Sequence, residues 1–499
     1  MKWIFWVLAI ALVLIGMDYM LGDNHKKQPF SENSQAITLY EDGLQDLFAF
    51  RLSASVTKFE KALEVDPSFA EASIALTGAY GLLGKQDEFT AALAQADSLT
   101  ELISDPRRRM VAQLRINKHP DTTSHSQRDS LFKRLSSEAP ENIFVLKAQV
   151  DKAQEGNDMD KAEKVLRQIL EVDPNYADSY NMLGYLELRR GNYDQAIEHM
   201  QKYAFLSPGS ANPYDSLGDI LRVTGRYDEA EQQYKHALKI QPDFFHSVIK
   251  LGRIYLLRGQ LKVGMGIINK VRAEVTGTRF VMEIDQRIIN TYWDAGLDEE
   301  LRPAIERYIH QHPKSYACPY YRAVSLAHQG RLDQSHALMD SMLAERRTSE
   351  EYRDSPRMRL YTEKTSLTFE ALVSDLTDTP AGRVKAWQKV VALVSEKTPF
   401  HDQWKERHLL AAALLDAGQP GTSLDILEPM LLVNRNLINP LILAVECNLA
   451  LERPDIARKF LDQLKWSLSR ADKDLPTKKR ASELETLVVA GEKVIAFDS

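Results

Sequence analysis

Apolar and small residues recur along this chain at helical spacing, in segments of about a dozen residues broken by glycine and proline. The rhythm is clearest between residues 143 and 276, and from Ala177 to Pro242 it reads as one 34-residue pattern written twice. The first copy carries Tyr180, Leu183, Gly184, Gly191, Tyr193, Ala196, Met200, Tyr203 and Pro208. The second carries Tyr214, Leu217, Gly218, Gly225, Tyr227, Ala230, Tyr234, Ala237 and Pro242. Each copy predicts two helices. Gly191 and Gly225 supply the turn between them, because glycine accepts the positive φ that ends a helix. Pro208 and Pro242 stop the second helix, since proline has no amide to donate. Gly184 and Gly218, with Ala196 and Ala230, let the paired backbones approach closely. One such pair cannot hide its own apolar face, so neighbours must stack.

Weaker copies extend the pattern in both directions. A first begins near Ala36, with Phe59, Ala62 and Pro67 in its second helix, and another starts near Ala70. The third is irregular: Pro106 opens a helix with Arg107, Arg108 and Arg109, and a polar loop runs from Lys118 to Gln127. Gly252 continues the ladder of Gly184 and Gly218 into a further copy. The register slips after Val271, fades between residues 346 and 403, and resumes at Leu410, Ala411, Leu414 and Gly418. About eleven copies can be traced.

Repetition at this period, with Leu-Gly, aromatic, Ala and Pro at these places, resembles the tetratricopeptide repeat family. The run Pro208–Gly218 followed by Gly225–Ala230 is similar to bacterial members. The resemblance implies an all-α fold: an α-solenoid, a right-handed superhelix of antiparallel helix pairs. Its expected divisions are residues 36–345 as the main solenoid, 346–403 as a non-repeat helical connector, 404–471 as two degenerate repeats, and 472–499 as a capping helix.

The first 22 residues stand apart. Trp3 to Met17 is uninterruptedly apolar behind Lys2, which predicts an N-terminal transmembrane helix acting as an uncleaved signal anchor. Residues 23–35 read as a polar stalk. The short segment before the apolar run favours a body exported from a bacterial inner membrane to the periplasm.

Composition narrows the chemistry. A net charge of −7 and a pI near 6.0 point away from nucleic acid. Cys318 and Cys447 are too far apart in sequence for a metal motif. Gly78 to Lys85 has the wrong glycine spacing for a phosphate loop, and Gln86 stands where Ser or Thr should hold magnesium. Gly264-Met265-Gly266 lacks the third glycine of a dinucleotide turn. His310 and His312 precede Pro313 at a helix end and have no cysteine or paired carboxylate beside them. No catalytic, metal or cofactor site is expected, and no small-molecule substrate is evident.

What remains is a surface. The resemblance implies that peptides or partner helices bind the inner, concave wall made by the first helices. Residues offset from the packing positions there are Lys147, Asp151, Asn181, Tyr185, Arg189, Asp215, Asp219, Arg222, His246 and Arg253. Relatives that grip a C-terminal carboxylate pair a Lys with an Asn, then use an Asn, then a Lys and an Arg. Lys147 matches the first, but Asp151 replaces its Asn, and Asn212 and Ser216 replace the last pair. The expected function is a non-enzymatic, membrane-tethered protein-binding scaffold. The alternative is an accessory subunit of cell-envelope biogenesis, serving lipopolysaccharide, peptidoglycan or outer-membrane protein assembly.

Overall fold

In a computed structural model the described residues are 31–48, 51–83, 85–104, 109–113, 125–155, 158–274, 278–294, 297–395 and 397–490. Among them every regular element is a helix. The expected anchor, residues 1–22, and most of the predicted loop 118–127 lie outside them. No helix among the described residues is long and apolar enough to cross a membrane.

The helices follow as hairpins. In the clearest stretch, Ala177–Arg190 pairs with Tyr193–Leu206 and Asn212–Val223 is followed by Tyr227–Ile240. Gly191 and Gly225 take φ of +83° and +72° at the turns, and the helices stop two residues before Pro208 and Pro242. A β-carbon on Gly184 would lie 2.8 Å from Met200, on Gly218 2.5 Å from Tyr234, and on Gly252 2.6 Å from Ile268. Each neighbour stands 16 residues further on, so one contact repeats at the 34-residue period. The small residues thus set the helix-to-helix distance, and Ala196 and Ala230 are themselves fully buried.

The pattern-poor stretch 346–403 contains the helices Pro356–Thr377 and Pro380–Ser395, which pack on each other. Local chemistry sets the first of these. Ser355 Oγ accepts from the Met358 amide at 3.2 Å, and Pro356 fills the first turn.

The described residues form two compact units. One comprises residues up to 188 with 194–216 and 236–244; the other comprises 189–193, 217–235 and 245 onward. In the first, Arg51 Nη1 reaches Asp243 Oδ2 at 3.0 Å. In the second, remote turns are sewn to the C-terminal hairpins. Asn436 Nδ2 donates to the Gly225 carbonyl at 2.8 Å, and the Asp472 amide donates to the Gly259 carbonyl at 3.0 Å.

Candidate functional site

The first helix of each hairpin carries the polar groups that face its neighbours. In the first unit, Ile143–Glu155 and Ala177–Arg190 bring Lys147 to Asp178, Nζ to Oδ2 at 2.7 Å. The pair is nearly dry, with side chains 11% and 3% exposed. Asp178 Oδ1 and Asn181 Oδ1 are buried acceptors with no hydrogen-bond donor among the described residues. The Tyr203 phenol beneath is pushed well above its ordinary range, by burial first and by the Asp178 charge second; Tyr185 and Lys147 also act on it. Asn212 Nδ2 donates to that hydroxyl at 3.0 Å. Of the predicted residues in this unit, Lys147 and Tyr185 therefore gather about Asp178 and Tyr203. Asp151 is exposed and Asp215 is buried.

In the second unit the same face carries an acid at its centre. Asp219 Oδ2 accepts from Lys250 Nζ at 2.6 Å and Oδ1 accepts from the Tyr234 hydroxyl at 2.9 Å; Arg222 Nε lies 4.0 Å away. Burial alone would raise the Asp219 carboxyl, but the charges of Lys250 and Arg222 and the two bonds hold it below its usual range. Arg222 and Arg253 both act on the Tyr227 phenol, which burial pushes up. Asp219, Arg222 and Arg253 thus converge. Arg189 and His246 are half-buried on their helices.

A richer patch lies where the repeat signature fades. The helices Thr278–Asp294, Cys318–His328, Pro356–Thr377 and Trp404–Asp416 are the first members of successive hairpins. Lys405 Nζ sits 3.5 Å from the Trp293 ring centroid, a close cation–π contact. Lys364 Nζ meets Glu406 Oε1 at 2.7 Å, while Glu406 Oε2 is buried with no donor among the described residues. Burial pushes the Tyr320 phenol far up, with Tyr361 and Glu406 adding to it. Tyr361 is 42% exposed, with the Arg346 guanidinium 5.3 Å from its ring. Sequence spacing did not find this patch, because its four helices no longer repeat every 34 residues. The clustering of Trp, Tyr and Lys on helical segments was its one visible signal.

Among the described residues no group of three or more His, Cys, Asp or Glu could hold a metal ion. Cys318 and Cys447 are buried free thiols, and burial pushes Cys447 up to about 11. His312 Nε2 is 2.8 Å from Asp285 Oδ2, so this histidine at the helix end has a structural partner.

Residues 147–211 match a family model described as tetratricopeptide repeat, and residues 211–244 match a second of the same description. These segments are tetratricopeptide repeats. Tetratricopeptide repeats are typically non-catalytic and mediate protein–protein interaction. Three solved structures similar to this repeat protein are the APC/C hetero-tetramer Cut9–Hcn1, yeast Tom70 and MamA. The first is 16% identical over 96% of this chain and 82% of that one, with a TM-score of 0.41. Tom70 is 14% identical over 92% and 96%, with a TM-score of 0.37. MamA is 22% identical over 33% and 95%, with a TM-score of 0.28. No curated protein matches the chain.

Proposed function

We propose that this protein is a non-enzymatic scaffold that binds peptide or helical partners on the first-helix face of its repeats. The patch of Trp293, Tyr361, Lys364, Lys405 and Glu406 carries the reading. An exposed Tyr361 with the half-buried Trp293, Lys364 and Lys405, over a buried carboxylate with a spare lone pair, suits an extended polypeptide, which brings both apolar groups and amide donors. The same face in the first unit offers Asp178 Oδ1 and Asn181 Oδ1 as acceptors of the same kind.

The scaffold is held at a membrane by residues 1–22, with the repeats exported to the periplasm. The apolar run Trp3–Met17 supports this, being near the lower length for a spanning helix. Tethering raises the effective concentration of partners at the bilayer.

The test is affinity capture with the full chain from detergent extracts, comparing wild type with a Tyr361→Ala, Lys364→Glu variant and an Arg134→Ala control. The reading expects proteins retained by wild type and control and lost by the double variant. Identical protein sets on all three would overturn it. A reporter fused to the C-terminus reads the side of the membrane, and carbonate extraction with and without residues 1–22 reads the anchor.

A further inference from the structure

The second unit contains a cavity of about 260 Å³ at the turns of its hairpins. Its walls are the turn Thr224–Glu229, Leu257 and Arg258, and the ends of two C-terminal hairpins: Arg435 and Asn436, then Trp466 to Arg470. Hydrogen bonds build it. The buried Asn436 donates to the Gly225 carbonyl at 2.8 Å, and its Oδ1 accepts from Ser467 Oγ at 3.1 Å.

Four arginines line it against two acids, Asp228 and Glu229. Three are matched. Arg226 bonds Glu229 at 2.5 Å; the buried Arg258 bonds Asp228 at 2.6 Å and also Glu231; Arg470 shares Asp228 at 2.7 Å. Arg435 is exposed and has no ion pair among the described residues. Arg435 therefore stands in the wall as a cation with no acid paired to it among the described residues. Beside it Trp466 is 57% exposed. Leu432, 34 residues earlier and so at the same register of the preceding hairpin, is 89% exposed. Leu432 and Trp466 thus leave large apolar side chains in water at equivalent positions of successive hairpins.

We infer that this cavity docks an acidic segment of a protein partner, its carboxylate on Arg435 and an adjoining apolar side chain on Trp466. The volume falls below the roughly 300 Å³ where drug-sized ligand pockets begin, so it takes one or two side chains. A guanidinium pairs with a planar carboxylate through two parallel bonds, and arginine with tryptophan is the usual make-up of an interface anchor. The exposed Trp466 in the same wall as Arg435 favours a polypeptide over a free small anion.

The experiment titrates the full chain with two synthetic peptides, acetyl-Glu-Leu-Glu-Leu-Glu-amide and its all-glutamine counterpart, following tryptophan emission. The Trp466→Phe chain supplies the blank. The acidic peptide saturates a signal that the blank lacks, and the glutamine peptide binds at least about tenfold more weakly. Arg435→Glu loses about the same factor while its thermal melt stays with wild type. Inorganic phosphate at equal concentration does not displace the peptide. Equal binding of the two peptides, an Arg435→Glu chain that binds like wild type, or full displacement by phosphate would each overturn the inference. Arg435 and Trp466 lie outside the first helices, so failure here leaves the first-helix reading standing.

Discussion

Asn434 occupies the space that a β-carbon on Gly225 would need. Its carboxamide also donates to the Tyr227 hydroxyl at 3.1 Å, so it is pinned there and 1% exposed. A repeat turn and a hairpin far along the chain therefore meet through a missing side chain.

Gly225→Ala is doubly unfavourable. The turn holds φ at +72°, and the new methyl meets Asn434. Gly330 has nearly the same φ, +74°, but open space around it. Urea denaturation should show Gly330→Ala costing about 1 kcal/mol and Gly225→Ala roughly 3 kcal/mol or more. Equal losses would show that the turn, and not the Asn434 contact, sets the requirement.

The ion pair of Lys147 and Asp178 makes a different demand. With both side chains almost dry, removing one charge strands the other. Lys147→Met should cost about 3 kcal/mol, whereas Lys147→Met with Asp178→Leu should fall within about 1 kcal/mol of wild type. A double-mutant cycle by chemical denaturation measures this. Additive losses would mean that water reaches the pair.

Two long-range links have unequal weight. Arg51 and Asp243 meet at 3.0 Å with side chains 42% and 33% exposed, so Arg51→Ala should cost under about 1 kcal/mol and vanish in high salt. Asn436 is 6% exposed and satisfied on both sides: it donates to the Gly225 carbonyl and accepts from Gln463 and Ser467. Asn436→Ala leaves those groups unpaired and should cost about 2 kcal/mol at any ionic strength. Denaturation in low and high salt separates the two.

The repeat architecture was legible because it is local. The 34-residue spacing names Gly184, Gly218 and Gly252, and the neighbours Met200, Tyr234 and Ile268 share the same spacing. Positive φ at Gly191 and Gly225 follows from the same reading. The long-range contacts were not legible. Nothing in a periodic pattern says that Asn434 lies against Gly225, since the two are far apart in the chain. The predicted binding residues divide on the same ground. Spacing places Lys147 and Asp219 on the first-helix face, but it cannot see that Asp178 and Lys250 hold them there. The Trp293–Glu406 patch escaped because the period fails in its helices, where the Ser355 cap and Pro356 set the boundary.

His408 supplies a pH test in that same patch of helices. It lies on Trp404–Asp416 with its Nδ1 buried and without a hydrogen-bond partner among the described residues. Burial pushes it down to about 4, against an ordinary value near 6.5. Above pH 6.5 the imidazole is neutral in both states and the full stability is present. As the pH falls the unfolded chain takes up a proton that the folded chain refuses, so stability declines from about pH 6.5 down to about pH 4. The ring is half-buried and not sealed off, which tempers the effect to about 2 kcal/mol. Urea denaturation of wild type and His408→Gln across this range reads it as the difference between the two curves. The glutamine chain should lose less on acidification. Parallel curves would mean that the folded chain accepts the proton as readily as the unfolded one, and that His408 is solvated.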